Sequence, residues 1–481
     1  MNELAHLRGF TDDEQREIGM LVAQLKARSR RNMLRSSFYD GKNAVRDIGL
    51  TIPDSYLNIG LALGWAAKGV DGLARRCNLN GFVDKGGADL AALGLDELVE
   101  SNYLFSELSQ ARTDSLIHGV SYLIGSRGDV DRDEPKALVT AKSALDGTGE
   151  WDVRARRLRS FFSVSERQGR DIVAFTLYIR GLTVSARLDG TRWEIERATP
   201  TFDVPVEPLV YKPRQSRRMG KSRITRPVMS AQMAALRALL RVEAHMDIYA
   251  IPRLVVLGAR EGMFKNADGS QKAAWQVVFG RVLGLPDTTD SSVENQRADV
   301  QQFAAESPKP HLDQLSMLAK LVARETDLPD TDFALENLAN PPSEGSYVSS
   351  RENLLAEAEG AMDDWAMPIR RTVQRGLATL NDYDTVPNEF LSIDTKWRSP
   401  MHLSRSAEAD AGAKQVGAVP WLAETRIGLE LLGLTTQQID QALNERQAGF
   451  GRSLVSALVN RGRNGDRLAI ETVVRNDNHG G

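Results

Sequence analysis

Gly220-Lys221-Ser222 is the run in this chain that most resembles a piece of catalytic or nucleotide-binding machinery. A phosphate-cradling loop ends this way, but it needs another glycine five residues before Gly220, because the backbone there must wrap the phosphates. Position 215 is Gln215, a proline-broken basic segment precedes it, and Pro227 follows too soon for the usual helix start. The spacing therefore reads as a solvated basic loop. The chain has no His-Glu-x-x-His and no Gly-x-Ser-x-Gly, so zinc-hydrolase and serine-hydrolase chemistry have no foothold. Its six histidines, at positions 6, 118, 245, 311, 402 and 479, are scattered without ligand spacing. Acidic clusters at Asp327, Asp330 and Asp332, and at Glu357, Glu359, Asp363 and Asp364, are where a metal nuclease site would be sought. Such clusters are more often solvated faces or subunit contacts. His118 and Cys77 read as packing residues. No catalytic residue, metal or cofactor is expected, and the weight moves to a binding or assembly protein.

What remains is charge. Lys212, Arg214, Arg217, Arg218, Lys221, Arg223 and Arg226 crowd a loop between the apolar, proline-bounded PVEPLV and a long helix. The expected role is a charge contact, either with a neighbouring subunit or with DNA phosphates. Ala, Leu, Met and Arg dominate from Val228 to Tyr249, with Pro227 in the tolerated first turn and Pro252 beyond the end. Met229, Met233, Leu236 and Leu240 form one stripe, flanked by Gln232, Ala235, Leu239, Val242 and Met246. That arc needs several neighbours, from this chain or from other copies. Arg237, Arg241 and His245 share a polar face with Ser230.

The rest of the chain is read in order. Thr11 and Glu14 form a capping box, and their helix runs to about Arg35. Further helices are expected over 56–76 and from Asn102 to Leu123. From Ile172 the pattern turns to short strands, IVAFTLYIR, TVSARL and RWEIERA, with Asp189-Gly190 as a hairpin turn. IPRLVVLGA follows the central helix as a strand and opens a small strand-bearing insertion. A second long helix opens near Pro310, with Leu312, Leu315, Leu318 or Ala319, and Val322 as its stripe. The run around Asn340-Pro341-Pro342 cannot continue a helix or a strand. A third long helix is expected behind a Ser349–Glu352 capping box, with a kink at Pro368. Shorter helices follow from about 404, one beginning at Pro420-Trp421 and another capped by Thr435 or Thr436.

At 481 residues the chain exceeds one ordinary core. Its 61 Lys and Arg against 64 Asp and Glu leave a formal charge of only -3, too little for a DNA-coating protein. The single cysteine excludes an internal disulfide framework. The polar N-terminus and the short apolar runs give no signal peptide and no membrane span.

PVEPLV, a loop ending in Gly-Lys-Ser, a long helix and IPRLVVLGA, followed by insertion, helix, proline-glycine loop and kinked helix, resemble the portal proteins of long-tailed bacteriophages over nearly the whole chain. The resemblance implies an α+β, predominantly helical portal-type fold with wing, stem, clip and crown regions, assembled as a cyclic oligomer, typically a dodecamer. Residues 1–226 would be the wing, including the basic loop 212–226. Residues 227–250 would be the first stem helix, 251–307 the clip, 308–328 the second stem helix and 329–349 the tunnel loop. Residues 350–403 would be a kinked helix returning to the wing, 404–463 the crown helices and 464–481 a mobile tail. Asn340, Ser343, Glu344, Ser346 and Tyr347 would then face the DNA channel. The implied function is a ring at one capsid vertex that passes double-stranded DNA without reading its sequence. The implied partners are the terminase large subunit, the major capsid protein and the head-tail connector or adaptor. The virion is its place, with assembly in the host cytoplasm. The alternative is a nuclease or ATPase of the same packaging machinery.

Overall fold

The computed structural model describes residues 7–42, 60–87, 89–249, 253–257, 268, 270, 299–303, 307–333, 349–402, 405–435, 437–446 and 448. Two compact units divide the chain, Met1–Pro400 and Met401–Gly481.

The first unit opens with α1 (Asp12–Tyr39). Its capping box forms as the sequence requires: Thr11 Oγ1 accepts from the Glu14 amide at 3.3 Å, and the Thr11 amide donates to Glu14 Oε2 at 2.8 Å. Next come α2 (Trp65–Ala74), β1 (Leu79–Asp84), α3 (Leu95–Ser101) and α4 (Leu104–His118). The helix expected to reach Leu123 stops at His118, because Gly119 turns left-handed at φ 100°. Its carbonyl-capping geometry ends the helix, and the β-branched Val120 and Ile124 that follow enter a strand.

After β1, strands resume at Val120, about fifty residues before the alternation at Ile172 suggested. They are β2 (Val120–Arg127), β3 (Ala137–Ser143), β4 (Gly147–Asp152), β5 (Arg157–Gln168), β6 (Asp171–Ile179), β7 (Leu182–Asp189), β8 (Arg192–Ala198) and β9 (Val206–Val210). β4 to β8 form an antiparallel meander, in which β7 and β8 meet at the expected Asp189-Gly190 turn. β3, β2 and β9 form a second sheet, and PVEPLV is its edge.

The long helices are α5 (Arg226–Tyr249), α6 (Lys309–Thr326) and α7 (Glu352–Leu380). Between α5 and α6, β10 (Arg253–Leu257) pairs antiparallel with β11 (Asp299–Phe303). The expected AWQVVFGRVLGLP strand lies outside the described residues. The capping box expected at Ser349 does not form: Arg351 holds the N-cap position of α7 without a side-chain cap. α7 continues through Pro368, and the Thr372 hydroxyl donates to the Pro368 carbonyl at 3.0 Å. β12 (Ile393–Trp397) pairs with β1, three hundred residues away, and closes the unit.

Three cores hold this unit together. α1 lays Ile18, Leu21, Val22 and Leu25 on the meander, against Phe162, Phe175 and Trp193. Tyr122 and Phe161, with ring centroids 4.6 Å apart, pack the two sheets against each other. The largest core buries α7 among α2, α4, α5, α6 and the β3-β2-β9 sheet. Trp365 is its fully buried centre, and its indole N–H donates to Ser115 Oγ at 3.3 Å.

The second unit carries α8 (Arg405–Ala418) and α9 (Arg426–Leu431). The helix expected from Pro420 to Leu432 is interrupted: Pro420–Glu424 is a short 3-10 turn. Thr425 then caps α9, its hydroxyl accepting from the Gly428 amide at 3.1 Å. Thr435 caps the helical residues that follow, accepting from the Gln438 amide at 3.4 Å. No described helix is long and apolar enough to cross a membrane.

Candidate functional site

The basic loop is built on backbone, and Gly220 is the reason it has its shape. Tyr211 N–H donates to the Gly119 carbonyl at 3.0 Å, and Lys221 N–H returns to the Tyr211 carbonyl at 2.9 Å. Gly220 sits between these strands at φ 65°, where an added Cβ would lie 2.3 Å from Gly119 O and 2.4 Å from Tyr211 O. Only glycine fits. Ser222 is buried, its hydroxyl donating to Ile117 O at 2.5 Å. Gly-Lys-Ser is thus a clasp between the loop and the end of α4, with its hydroxyl consumed inside the chain.

The loop's cations separate into two groups. Arg223 was expected on the exposed loop with the others, and instead it is 5% exposed. Its Nε donates to Gly69 O of α2 at 2.6 Å, and its Nη1 donates to the Tyr211 hydroxyl at 3.1 Å. Nη2 donates to Thr326 O at the end of α6. Nη1 also lies 2.5 Å from Glu357 Oε2 of α7, close enough for an ion pair though not aligned as a hydrogen bond. Lys212, left-handed at φ 48°, donates to the other oxygen of Glu357, as does the Tyr211 hydroxyl. Burial would raise the Glu357 carboxyl, but Arg223, Lys212 and Tyr211 together hold it below the usual range. Burial pushes the Tyr211 phenol strongly upward, so it stays protonated. One guanidinium thus joins α2, the residue that follows β9, α6 and α7 at a single point.

A second buried acid does similar work. Glu207, inside PVEPLV, is 3% exposed and faces α7, with Arg375 at 2.7 Å and Arg371 at 3.6 Å. Sequence reasoning missed Glu207 and grouped Glu357 with a solvated or subunit-contact acidic cluster, whereas its side chain is buried and paired within the chain. The signal for Glu207 was present: a carboxylate inside an apolar, proline-bounded strand must find a cation.

Arg214, Arg218 and Lys221 are exposed and Arg217 half-buried. Arg214 and Arg217 exchange backbone hydrogen bonds of 3.2 and 2.9 Å around a tight Gln215-Ser216 turn, so their side chains project from a fixed hairpin.

α5 and α6 pack side by side. Val228 and Ala235 of α5 and Leu315, Leu318, Ala319 and Val322 of α6 share the large core. His245, placed by its spacing on a polar face, meets His311 of α6 edge-on at 5.5 Å between ring centroids. Arg237 and Arg241 are half-buried. Met317 and Leu321, one turn apart on α6, are 56% and 46% exposed on the side away from its buried residues, while the exposed Leu312 adjoins the buried stripe by its spacing. Asn340, Ser343, Glu344, Ser346 and Tyr347 lie outside the described residues. Among the described residues no group of three His, Cys, Asp or Glu is placed to hold a metal ion.

Comparison with known proteins gives consistent matches. The portal protein of Mycobacterium phage L5 is 25% identical over 440 residues, 88% of this chain and 87% of that protein. The portal protein of Mycobacterium phage D29 is 25% identical over 441 residues, with the same coverage. Among solved structures, a chain from the neck of a native gene transfer agent particle, computed with C12 symmetry, is 14% identical. That match covers 82% of this chain and 98% of its own, at a TM-score of 0.40. The family model for the phage portal protein, SPP1 Gp6-like, matches residues 19–449. The chain belongs to the SPP1 Gp6-like family of phage portal proteins.

Proposed function

We propose that this portal protein forms a closed ring at one vertex of a phage capsid, through which double-stranded DNA is packaged and later released. On this reading α5 and α6 are the two stem helices, with the insertion between them the clip. The unit before α5, with α7 returning to it, is the wing, and the second unit is the crown. Residues 329–349 are the tunnel loop. The observation that carries the assembly is the exposed apolar pair Met317 and Leu321 on the side of α6 opposite its buried Leu315, Leu318 and Val322. Contiguous apolar surface on a helix already packed on one side marks a contact with another copy, and a head-to-tail contact that closes produces a ring. The near-neutral net charge suits a channel that must let DNA slide, since each phosphate neutralised adds affinity. Partners on this reading are the terminase large subunit, the major capsid protein and the head-tail connector, with the virion as its place.

The test is negative-stain microscopy together with a mass measurement on the purified particle. Rings with a central hole and a mass that is a whole multiple of the chain are expected. A well-folded monomer at high concentration would overturn the reading. For the tunnel loop, replacing residues 341–346 with a longer, strongly basic segment should leave rings intact while shortening the packaged DNA. Full-length packaging by that variant would remove the loop from the channel.

A further inference from the structure

The exposed part of the basic loop closes over a cleft of about 570 Å³, walled on the other sides by α1 and by β4 with the turn after it. Four guanidiniums line it: Arg28 and Arg31 from α1, Arg217 and Arg218 from the loop. Burial, and the proximity of Arg217 and then Arg28, hold Arg31 below its usual value. Among the described residues no carboxylate pairs with Arg31, Arg217 or Arg218. Glu150 is the acid in the lining, and it is engaged by Arg159. His118, 6% exposed, and Trp151 also line the cleft, and His118 Nδ1 and Trp151 Nε1 are buried without a partner among the described residues. Cations crowded this closely, beside unsatisfied polar atoms, fit an occupant that brings negative charge and hydrogen-bond acceptors.

The chain itself carries a segment of that chemistry. Residues 129–134, between β2 and β3, hold four carboxylates against one arginine and are all exposed. The loop is already ordered: Asp129 N–H donates to Glu134 Oε2 at 2.8 Å, Asp131 N–H to Asp129 Oδ1 at 3.2 Å, and Gly128 N–H to Lys136 O at 3.1 Å. Asp131 and Asp133 form no ion pair among the described residues. Val130 stands out from the loop at 62% exposure, and Val153 stands at the cleft at 61% exposure. An acidic loop with an apolar tip thus matches an arginine-walled cleft with an apolar rim.

The loop cannot reach the cleft of its own chain. Val120 and Tyr122 line the cleft, while the loop follows Arg127 at the far end of the same strand, a separation of about 23 Å over seven residue steps. We propose that the cleft receives the 129–134 loop of a second copy, so that each wing plugs head-to-tail into the next around the ring. This rests on the ring reading above. A duplex, far wider than a cleft of this volume, is the poorer fit, and binding to it is made an outcome of the test.

The experiment uses the full chain carrying Val130→Cys and Val153→Cys together. The native Cys77 is buried, and burial pushes its thiol up to about 12, so it does not compete. Mild oxidation of the assembled rings should give a ladder of covalent multiples on a denaturing gel, and neither single variant should. Independently, Arg217→Glu with Arg218→Glu should lower the assembled fraction about tenfold or more, as opposed charges turned alike repel across a contact. Adding Asp131→Arg with Asp133→Arg should restore it. These four positions are exposed or half-exposed, and the secondary structure of each variant is checked by circular dichroism. Rings that form normally, show no ladder and ignore the charge swap would overturn the plug while leaving the ring intact. Rings unaffected by Arg217→Glu with Arg218→Glu, but with lost binding of a non-specific duplex, would also overturn it in favour of nucleic acid. A wild type that forms no ring overturns the assembly reading, and this one with it.

Discussion

Arg223 keeps a guanidinium charge at 5% exposure, and the arrangement around it explains how that is tolerated. Two backbone carbonyls, a phenol and a carboxylate meet its donors, which is close to the full set that its planar fork can use. Removing one partner of such a pair is costly, because the survivor stays buried and uncompensated. Arg223→Met should therefore destabilise the chain by about 3–5 kcal/mol, read as a lowered thermal midpoint at fixed protein concentration. Glu357→Gln should cost less, since the two carbonyls still hold Arg223. The pH dependence follows from the depressed Glu357 carboxyl. A carboxylate held down in the folded state stabilises fully above its unfolded value, about 4.3, and that stabilisation is lost as pH falls through the folded value. Stability of the wild type should fall below about pH 4.3 more steeply than that of Glu357→Gln. Parallel curves would show that the carboxylate is not protected. His118 acts in the same direction. Burial, then Arg35, lower its imidazole to about 4, so it is neutral when folded, and stability falls as pH drops from about 6.5 towards 4.

At the scale of elements, local chemistry decided what could be read in advance. The capping box of α1 needs only Thr11 and Glu14, and it forms. Thr11→Ala should cost about 1 kcal/mol, with the difference appearing in thermal unfolding. The three long helices and the β6-β7-β8 hairpins were legible for the same reason, since their periods and turn residues lie within a few positions of each other. β1 to β5 were not. β1 is completed only by β12, and β3 and β4 carry Thr, Lys, Ser and Gly whose place in a sheet depends on partners elsewhere. The clasp at Gly220 shows the limit most clearly. The Gly-Lys-Ser spacing could be judged wrong for phosphate from Gln215 alone, but the need for glycine comes from Tyr211 and from Gly119, a hundred residues away. Gly220→Ala, with its Cβ driven into two carbonyl oxygens at positive φ, should destabilise by several kcal/mol, on the order of 2–4. It should also disorder the loop that carries Arg217 and Arg218. Unchanged stability of Gly220→Ala would mean that the loop relaxes freely and is not a rigid clasp. Among the candidate residues, Arg223 was misplaced because loop composition does not report which neighbour arrives, and helix spacing gave no sign that His245 meets His311. Glu207 was overlooked although its apolar setting advertised a buried pair.

For the whole molecule, α6 faces two kinds of surroundings. α6 buries Leu315, Leu318, Ala319 and Val322 inside its own chain, while Met317 and Leu321 look outward. In an isolated chain those two residues gain nothing by being apolar. In the proposed ring they would meet the neighbouring copy, and burying each would contribute about 1.5–3 kcal/mol per contact, at the upper end only for full burial. Met317→Lys with Leu321→Lys is therefore expected to separate folding from assembly. Both positions are exposed, so the single chain should keep its circular dichroism spectrum and nearly its thermal midpoint, within about 0.5 kcal/mol. The ring should be lost, because two cations per chain would be desolvated at every interface, and sedimentation should report a monomer. Concentration matters to the comparison, since assembly adds to apparent stability by mass action. The wild type should accordingly melt higher as its concentration rises, while the double lysine variant should not. A variant that still assembles would show that the outer face of α6 is solvated in the ring, and the contact between copies would then have to be sought on the wing.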